Sequence, residues 1–255
     1  MEFIVSASTD IGLVKSTNQD SLNVRVYSTS IGKVVFAVLC DGMGGLESGE
    51  IASASVINAF CKWADFRLPQ LIAAGFGDQD IKREWTDIAV DMNSKLKAHG
   101  AMRGINLGTT LTAILLTSER YYVINVGDSR TYEIADRAEV LTQDQTVVAM
   151  EVRNGIITEE QAAVDPRRSV LLQCIGASET VVPDLFFGQT VQNAVYMLCS
   201  DGFRHEITPE EIYGSFCPGN MLSAEQMKQN ELYLIELNKQ RSERDNISVI
   251  TIRTY

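Results

Sequence analysis

Apolar residues follow two rhythms along this 255-residue chain. Positions 22–27 alternate apolar and polar, the period of a half-buried strand, and lead into the continuous apolar run 34–39, which reads as a strand buried on both faces. Residues 49–63 change to helical spacing, with Ile51, Ser55, Val56, Ala59, Phe60 and Trp63 on one stripe. Residues 81–96 do the same through Ile81, Trp85, Ile88, Met92 and Leu96. Runs 111–116 and 121–126 predict a hairpin joined by 117–120, and 130–134 is expected to continue that sheet. Between 145 and 177 the rhythm breaks into short helical pieces around 147–153 and 158–163, before strands return at 181–187 and 195–198. Thr208, Pro209 and Glu211 spell a helix start, and Ser223 with Gln226 three residues on opens the last long helix, 223–241. Residues 247–253 close the chain as a strand. Strands without a βαβ alternation, with two pairs of helices, predict an α+β fold: a central antiparallel β-sandwich with helices on both outer faces, in αββα layers. No repeat, low-complexity tract or Pro/Gly-rich linker interrupts the chain, so one domain is expected over 1–255.

A hydrophobic fraction of 45% with 22% charged residues suits a globular core. No apolar run is long enough to cross a bilayer, and the first residues lack a basic flank, so a cytoplasmic protein without a membrane partner is expected. The net charge of −11 argues against nucleic acid, whose phosphates demand clustered Lys and Arg. Cys40, Cys61, Cys174, Cys199 and Cys217 show no zinc-type spacing, and Cys40 and Cys199 read as small core residues.

The chemistry lies in five acidic words: Asp10-Ile11-Gly12 running to Asn18-Gln19-Asp20, then Cys40-Asp41-Gly42-Met43-Gly44-Gly45, Gly127-Asp128-Ser129-Arg130, Ser200-Asp201-Gly202 and Arg244-Asp245-Asn246. Asp41, Asp128 and Asp201 directly follow apolar strand-like runs, and Asp245 precedes one, so a shared sandwich would gather their carboxylates on one rim. Carboxylates packed together raise one another's pKa unless a cation neutralises them. A metal site of hard oxygen ligands is the simplest reading.

In this order the words resemble those of the metal-dependent serine/threonine protein phosphatases of the type 2C family, in its bacterial form, from residue 10 to 253. Leu107-Gly108-Thr109-Thr110, Leu141-Thr142-Gln143-Asp144, and Gly155-Ile156-Ile157-Thr158 leading to Cys174-Ile175-Gly176 fit the same pattern. The resemblance implies that Asp41 bridges two Mn2+ or Mg2+ ions, that the Gly42 carbonyl binds one of them, and that Asp201 and Asp245 complete a shell. Gly44-Gly45 would turn the chain away without crowding the site. Asp20 would hold a metal-bound water and Asn18 would brace its loop, while Asp128 would help bind a third ion near a flap at about 145–177. The implied reaction is hydrolysis of phosphoserine or phosphothreonine in proteins by a metal-bridging water or hydroxide, with no covalent intermediate. A cognate Ser/Thr kinase comes with the same resemblance, and a monomer is the default expectation.

Three positions, Lys15, Met43 and Gln145, depart from the family pattern. Lys15 stands where an arginine usually grips the phosphate, keeping the charge but losing the bidentate fork. Met43 leaves no histidine for a general acid, so a metal-bound water would protonate the leaving group. His205 reads as a surface residue, and Gln145 replaces a common histidine. Lys15 and the missing histidines are the only support for an alternative, a non-catalytic pseudophosphatase that binds a partner. A phosphatase acting on a signalling antagonist or a small molecule is a third reading, since specificity would reside in the flap and loops.

Overall fold

Every strand of the larger sheets pairs antiparallel in the computed structural model, which describes residues 1–44 and 48–255. In chain order come β1 (Phe3–Asp10), β2 (Ser21–Thr29), β3 (Gly32–Cys40), β4 (Gly42–Gly44), α1 (Gly49–Lys62), α2 (Leu68–Ala74) and α3 (Asp78–Arg103). They are followed by β5 (Leu107–Thr109), β6 (Leu111–Leu116), β7 (Arg120–Val126), β8 (Arg130–Ile134), β9 (Ala138–Val140), α4 (Val147–Arg153) and α5 (Glu159–Val164). The chain ends through β10 (Asp184–Gln189), β11 (Val195–Cys199), α6 (Asp201–Arg204), α7 (Pro209–Phe216), α8 (Ala224–Gln240) and β12 (Ile247–Thr254). One sheet has the order β1-β12-β11-β8-β9 and the other β10-β7-β6-β3-β2, with β4 and β5 forming a small separate pair.

Three apolar clusters make the layers. Val35, Ala37 and Leu39 of β3, with Ile114 and Val123, meet Tyr196, Leu198, Ile250 and Ile252 of the facing sheet. Val34, Phe36 and Val38 point the other way, onto Phe60, Trp63 and Trp85 of the α1–α3 layer. Because β3 buries both faces, its sequence reads as an unbroken apolar run. On the opposite outside, Met197 and Val249 pack against Phe216, Met227 and Leu234 of α7 and α8. The expected αββα sandwich is present.

Three expectations need adjusting. The strand β8 belongs to the sheet of β11 rather than to that of β7. Gly127, with φ +99°, lets the chain leave one sheet and enter the other; a Cβ there would stand 2.7 Å from Thr110 Cγ2. Gly127→Ala is therefore expected to cost about 2 kcal/mol of stability, read as a lower urea midpoint; an unchanged midpoint would contradict this. The helix expected to end at 63 runs on through a wide turn at Trp63–Arg67 into α2, and its buried stripe is Ala52, Val56, Ile57, Phe60 and Cys61, rotated from the expected one. Finally, β10 starts at Asp184 because Pro183 has no N–H for a ladder bond.

Candidate metal centre

The sandwich delivers the acidic words to one rim. Asp41 follows β3, Asp128 lies in the β7–β8 turn, Asp201 opens α6 behind β11, and Asp245 precedes β12. Asp41 is pinned by its backbone: its N–H donates to Thr110 Oγ1 (2.9 Å), and its carbonyl accepts from Thr110 N (2.8 Å) and Thr109 Oγ1 (2.8 Å). Thr109 and Thr110 thus hold the Asp41 loop. Next to it, a Cβ on Gly42 would collide with the carbonyls of Gln19 and Gly49, so only glycine allows this approach. Of the expected Gly44-Gly45 turn, Gly44 ends β4 and Gly45 lies outside the described residues.

A second set of bonds ties the N-terminal loop to the last strand. Asn18 Oδ1 accepts from Asp20 N (3.1 Å), and Asn18 Nδ2 donates to Thr9 Oγ1 (2.8 Å), so Asn18 braces its loop as expected. Asn246 accepts from Gln19 N (2.9 Å) and donates to the carbonyl of Ile11 (2.9 Å), clamping that loop beside Asp245. Asp10 sits apart, spent on the N–H of Gly12 and on Lys239.

Burial and mutual repulsion raise the Asp41 pKa well above the usual carboxylate range, with Asp20, Asp201, Asp245 and Asp128 all contributing negative charge. Burial likewise pushes Asp20 up to about 7; Ser248 and Ser200 hydroxyls face it and temper the rise. Neither completes a hydrogen bond to it: both Asp20 carboxylate oxygens, and Oδ1 of Asp201, are buried without a partner among the described residues. Buried, unpaired oxygens of this kind, gathered in a repulsive set, fit hard divalent cations. Among the described residues no three carboxylate, histidine or cysteine side chains stand close enough to enclose one ion. The groups converge without forming a closed cage, which suits Mg2+ or Mn2+ ions that keep several waters.

Lys15 reaches into this rim. Its Nζ lies 2.8 Å from Asp245 Oδ1, and although burial works against its charge, Asp245, Asp41 and Asp201 outweigh burial and raise its pKa. The ammonium pairs with Asp245 while the side chain stays partly exposed.

His205 corrects the sequence reading. It is not on the surface: its side chain is 14% exposed, with Nε2 3.5 Å from Asp201 Oδ2 and Nδ1 3.4 Å from Glu243 Oε2. One turn of α6 carries it inward beside Asp201. Glu243 in turn accepts from the N–H groups of Arg244 (2.6 Å) and Asp245 (2.8 Å).

Other participants escaped the sequence. Gln145 is buried; its Oε1 accepts from Gly127 N (2.8 Å) and its Nε2 donates to Asp184 Oδ2 (2.8 Å), so it fastens the Asp128 turn to the start of the flap. Asp144 takes both oxygens' worth of the Arg130 fork, Nε and Nη2 at 2.8 Å each, and meets Arg204 Nη2 at 3.1 Å. Burial raises Asp128 to about 7, Asp201 adds to the rise and Arg204 opposes it. No local spacing signals the pairing of Arg204 with Asp144, which lie 60 residues apart. α4 and α5 line a groove of about 600 Å³ beside Arg204 and His205.

Comparison with known proteins gives consistent likenesses. The family model described as protein phosphatase 2C matches residues 14–232. The serine/threonine protein phosphatase PstP of Mycobacterium tuberculosis is 32% identical over 246 residues, 96% of this chain; the chain spans only 44% of that protein's length. The protein phosphatase PhpP of Streptococcus pneumoniae is 30% identical over 216 residues, 82% of each chain. Among solved structures, the serine/threonine phosphatase of S. agalactiae superposes with a TM-score of 0.85 at 27% identity, covering 100% of both chains. The catalytic domain of PstP in complex with two manganese ions gives a TM-score of 0.76 at 30% identity, covering 98% of this chain and 97% of that one.

Proposed function

The chain belongs to the protein phosphatase 2C family, and from that premise we propose that it is a metal-dependent phosphatase hydrolysing phosphoserine and phosphothreonine in proteins. The observation that carries this reading is the convergence of charge on Asp41 from Asp20, Asp201, Asp245 and Asp128, residues far apart in sequence. An Asp41 carboxylate made so costly to ionise by its neighbours is hard to explain as mere turn-making.

Asp41, the Gly42 carbonyl, Asp201 and Asp245 would hold two Mn2+ or Mg2+ ions, and Asp20 would orient a water through its unpartnered oxygens. Bound divalent cations supply activation of water and neutralisation of phosphoryl charge. The Thr109 and Thr110 bonds keep the Asp41 carboxylate aimed without spending it. Gly42 admits the close backbone approach, and His205 with Glu243 props Asp201 from behind. Lys15, whose partner Asp245 belongs to the same set, is placed to exchange that carboxylate for a phosphate oxygen. A non-catalytic binding module is disfavoured, because such a module has no use for the repulsion that these aspartates maintain.

The reading extends to a single domain over 1–255, supported by the core shared between the two sheets, and to a monomer as the default state. A phosphoserine or phosphothreonine substrate has to be made by a Ser/Thr kinase using ATP, which supports a cognate kinase and a cytoplasmic setting. No described helix is long and apolar enough to cross a membrane. The test is hydrolysis of p-nitrophenyl phosphate and of a phosphothreonine peptide: rates should depend on manganese and vanish with chelator, and full rates in chelator would contradict the proposal.

Lys15 gives a finer prediction. Lys15→Ala is expected to raise KM for the phosphopeptide roughly 10-fold, the loss of one charge-assisted contact, while Lys15→Arg keeps KM at or below the parent value. An unchanged KM in the alanine variant would remove Lys15 from substrate binding.

A further inference from the structure

Beside Asp128 stands a buried cation, whereas Lys15, the cation at the Asp41 centre, pairs with Asp245 and stays partly exposed. Arg204 closes the single turn of α6 that Asp201 opens, and its side chain is 12% exposed. Its Nη2 donates to the Asp128 carbonyl (2.9 Å) and to Asp144 Oδ2 (3.1 Å), and lies 3.7 Å from Asp128 Oδ2. Asp144 cannot serve as a spare oxygen donor, because the Arg130 fork engages both of its oxygens and Arg204 shares one. Gln145 fastens the turn that carries Asp128, so the carboxylate does not easily swing away from the guanidinium. A divalent ion on Asp128 would sit within a few ångströms of a buried, permanently charged guanidinium, in surroundings where like charges are poorly screened.

We propose that Arg204 is the resident counter-charge of Asp128, so that this chain holds divalent cations only at the Asp41 centre and none at Asp128. The proposal rests on the reading of the Asp41 centre as a two-ion site, and it overturns the expectation of a third ion beside the flap. It also gives Arg204 a task that no part of the hydrolytic scheme demands: tethering the β7–β8 turn to α6, so that Asp128 and Asp201 keep their spacing.

The test is a count of bound ions, independent of activity. Manganese is titrated into the full chain to millimolar concentration and the free ion is followed by electron paramagnetic resonance. The parent protein should bind two ions, Asp128→Asn should still bind two, and Arg204→Ser should gain a third. A third ion on the parent that is lost in Asp128→Asn would overturn the proposal, as would a folded Arg204→Ser protein that stays at two. If Arg204→Ser does not fold, the comparison of parent with Asp128→Asn decides alone. Binding of no ion at all would defeat the reading of the Asp41 centre, and this inference with it.

Discussion

Asp41→Asn is expected to slow hydrolysis of a phosphothreonine peptide by roughly 10³-fold or more while making the metal-free protein harder to unfold. The two effects share one cause. Asp41 is held by backbone bonds from Thr109 and Thr110, so the amide keeps the position and shape of the acid. It loses only the charge, which is the property that binds cations and also the property that repels Asp20, Asp201, Asp245 and Asp128. Relieving one buried like-charge contact should stabilise the metal-free fold by about 2 kcal/mol. A residue needed merely for packing would lose stability along with activity. A variant that keeps most of its activity, or one that unfolds earlier in chelator, would count against the role assigned to Asp41.

Stability should also depend on pH in opposite ways with and without cations. Asp20 and Asp128 are raised from the ordinary carboxylate value to about 7 in the fold, chiefly by burial. Below about pH 4 both folded and unfolded chains carry these protons, and the fold bears no penalty. As pH climbs from about 4 to about 8 the unfolded chain ionises first and freely, the folded chain late and at a cost, so stability is lost through that window. One such group is worth on the order of 4 kcal/mol, as an upper bound for a buried acid. His205, also raised in the fold, loses its contribution in the same direction. Saturating manganese takes the place of the protons: at about 1,000 times its Kd it adds about 4 kcal/mol, and it binds best where the carboxylates are ionised. Urea midpoints in chelator should therefore fall between pH 5 and pH 8, and midpoints in manganese should hold level or rise. A chelator series that rises with pH would contradict the reading of the rim as an uncompensated acidic set.

What could be read in the sequence follows from what is local. Each acidic word abuts an apolar run, so strand ends and the carboxylates on them were visible together. The caps at Thr208 and Ser223 form as expected because a cap is settled within four residues. What stayed hidden depends on partners distant in the chain. The assignment of 130–134 to a sheet hinges on one positive-φ glycine, which no periodicity records. The burial of His205 follows from the single turn of α6 packing between Asp201 and Glu243, a residue 38 positions further on. Glu231 looks like an ordinary helix carboxylate, yet it is fully buried and accepts hydrogen bonds from Ser6, Ser8 and Thr251 on two strands. Arg204 and Asp144 were legible as residues but not as a pair, since sequence spacing says nothing about which acid a distant arginine will meet.

The most direct measurement is an anomalous difference map from a crystal soaked in manganese. Two peaks should flank the Asp41 carboxylate, one toward Asp201 and Asp245 and the other toward the Gly42 carbonyl, with Lys15 released from Asp245. Manganese absent from Asp41, or bound only at unrelated surface carboxylates, would show that these aspartates converge for some other reason.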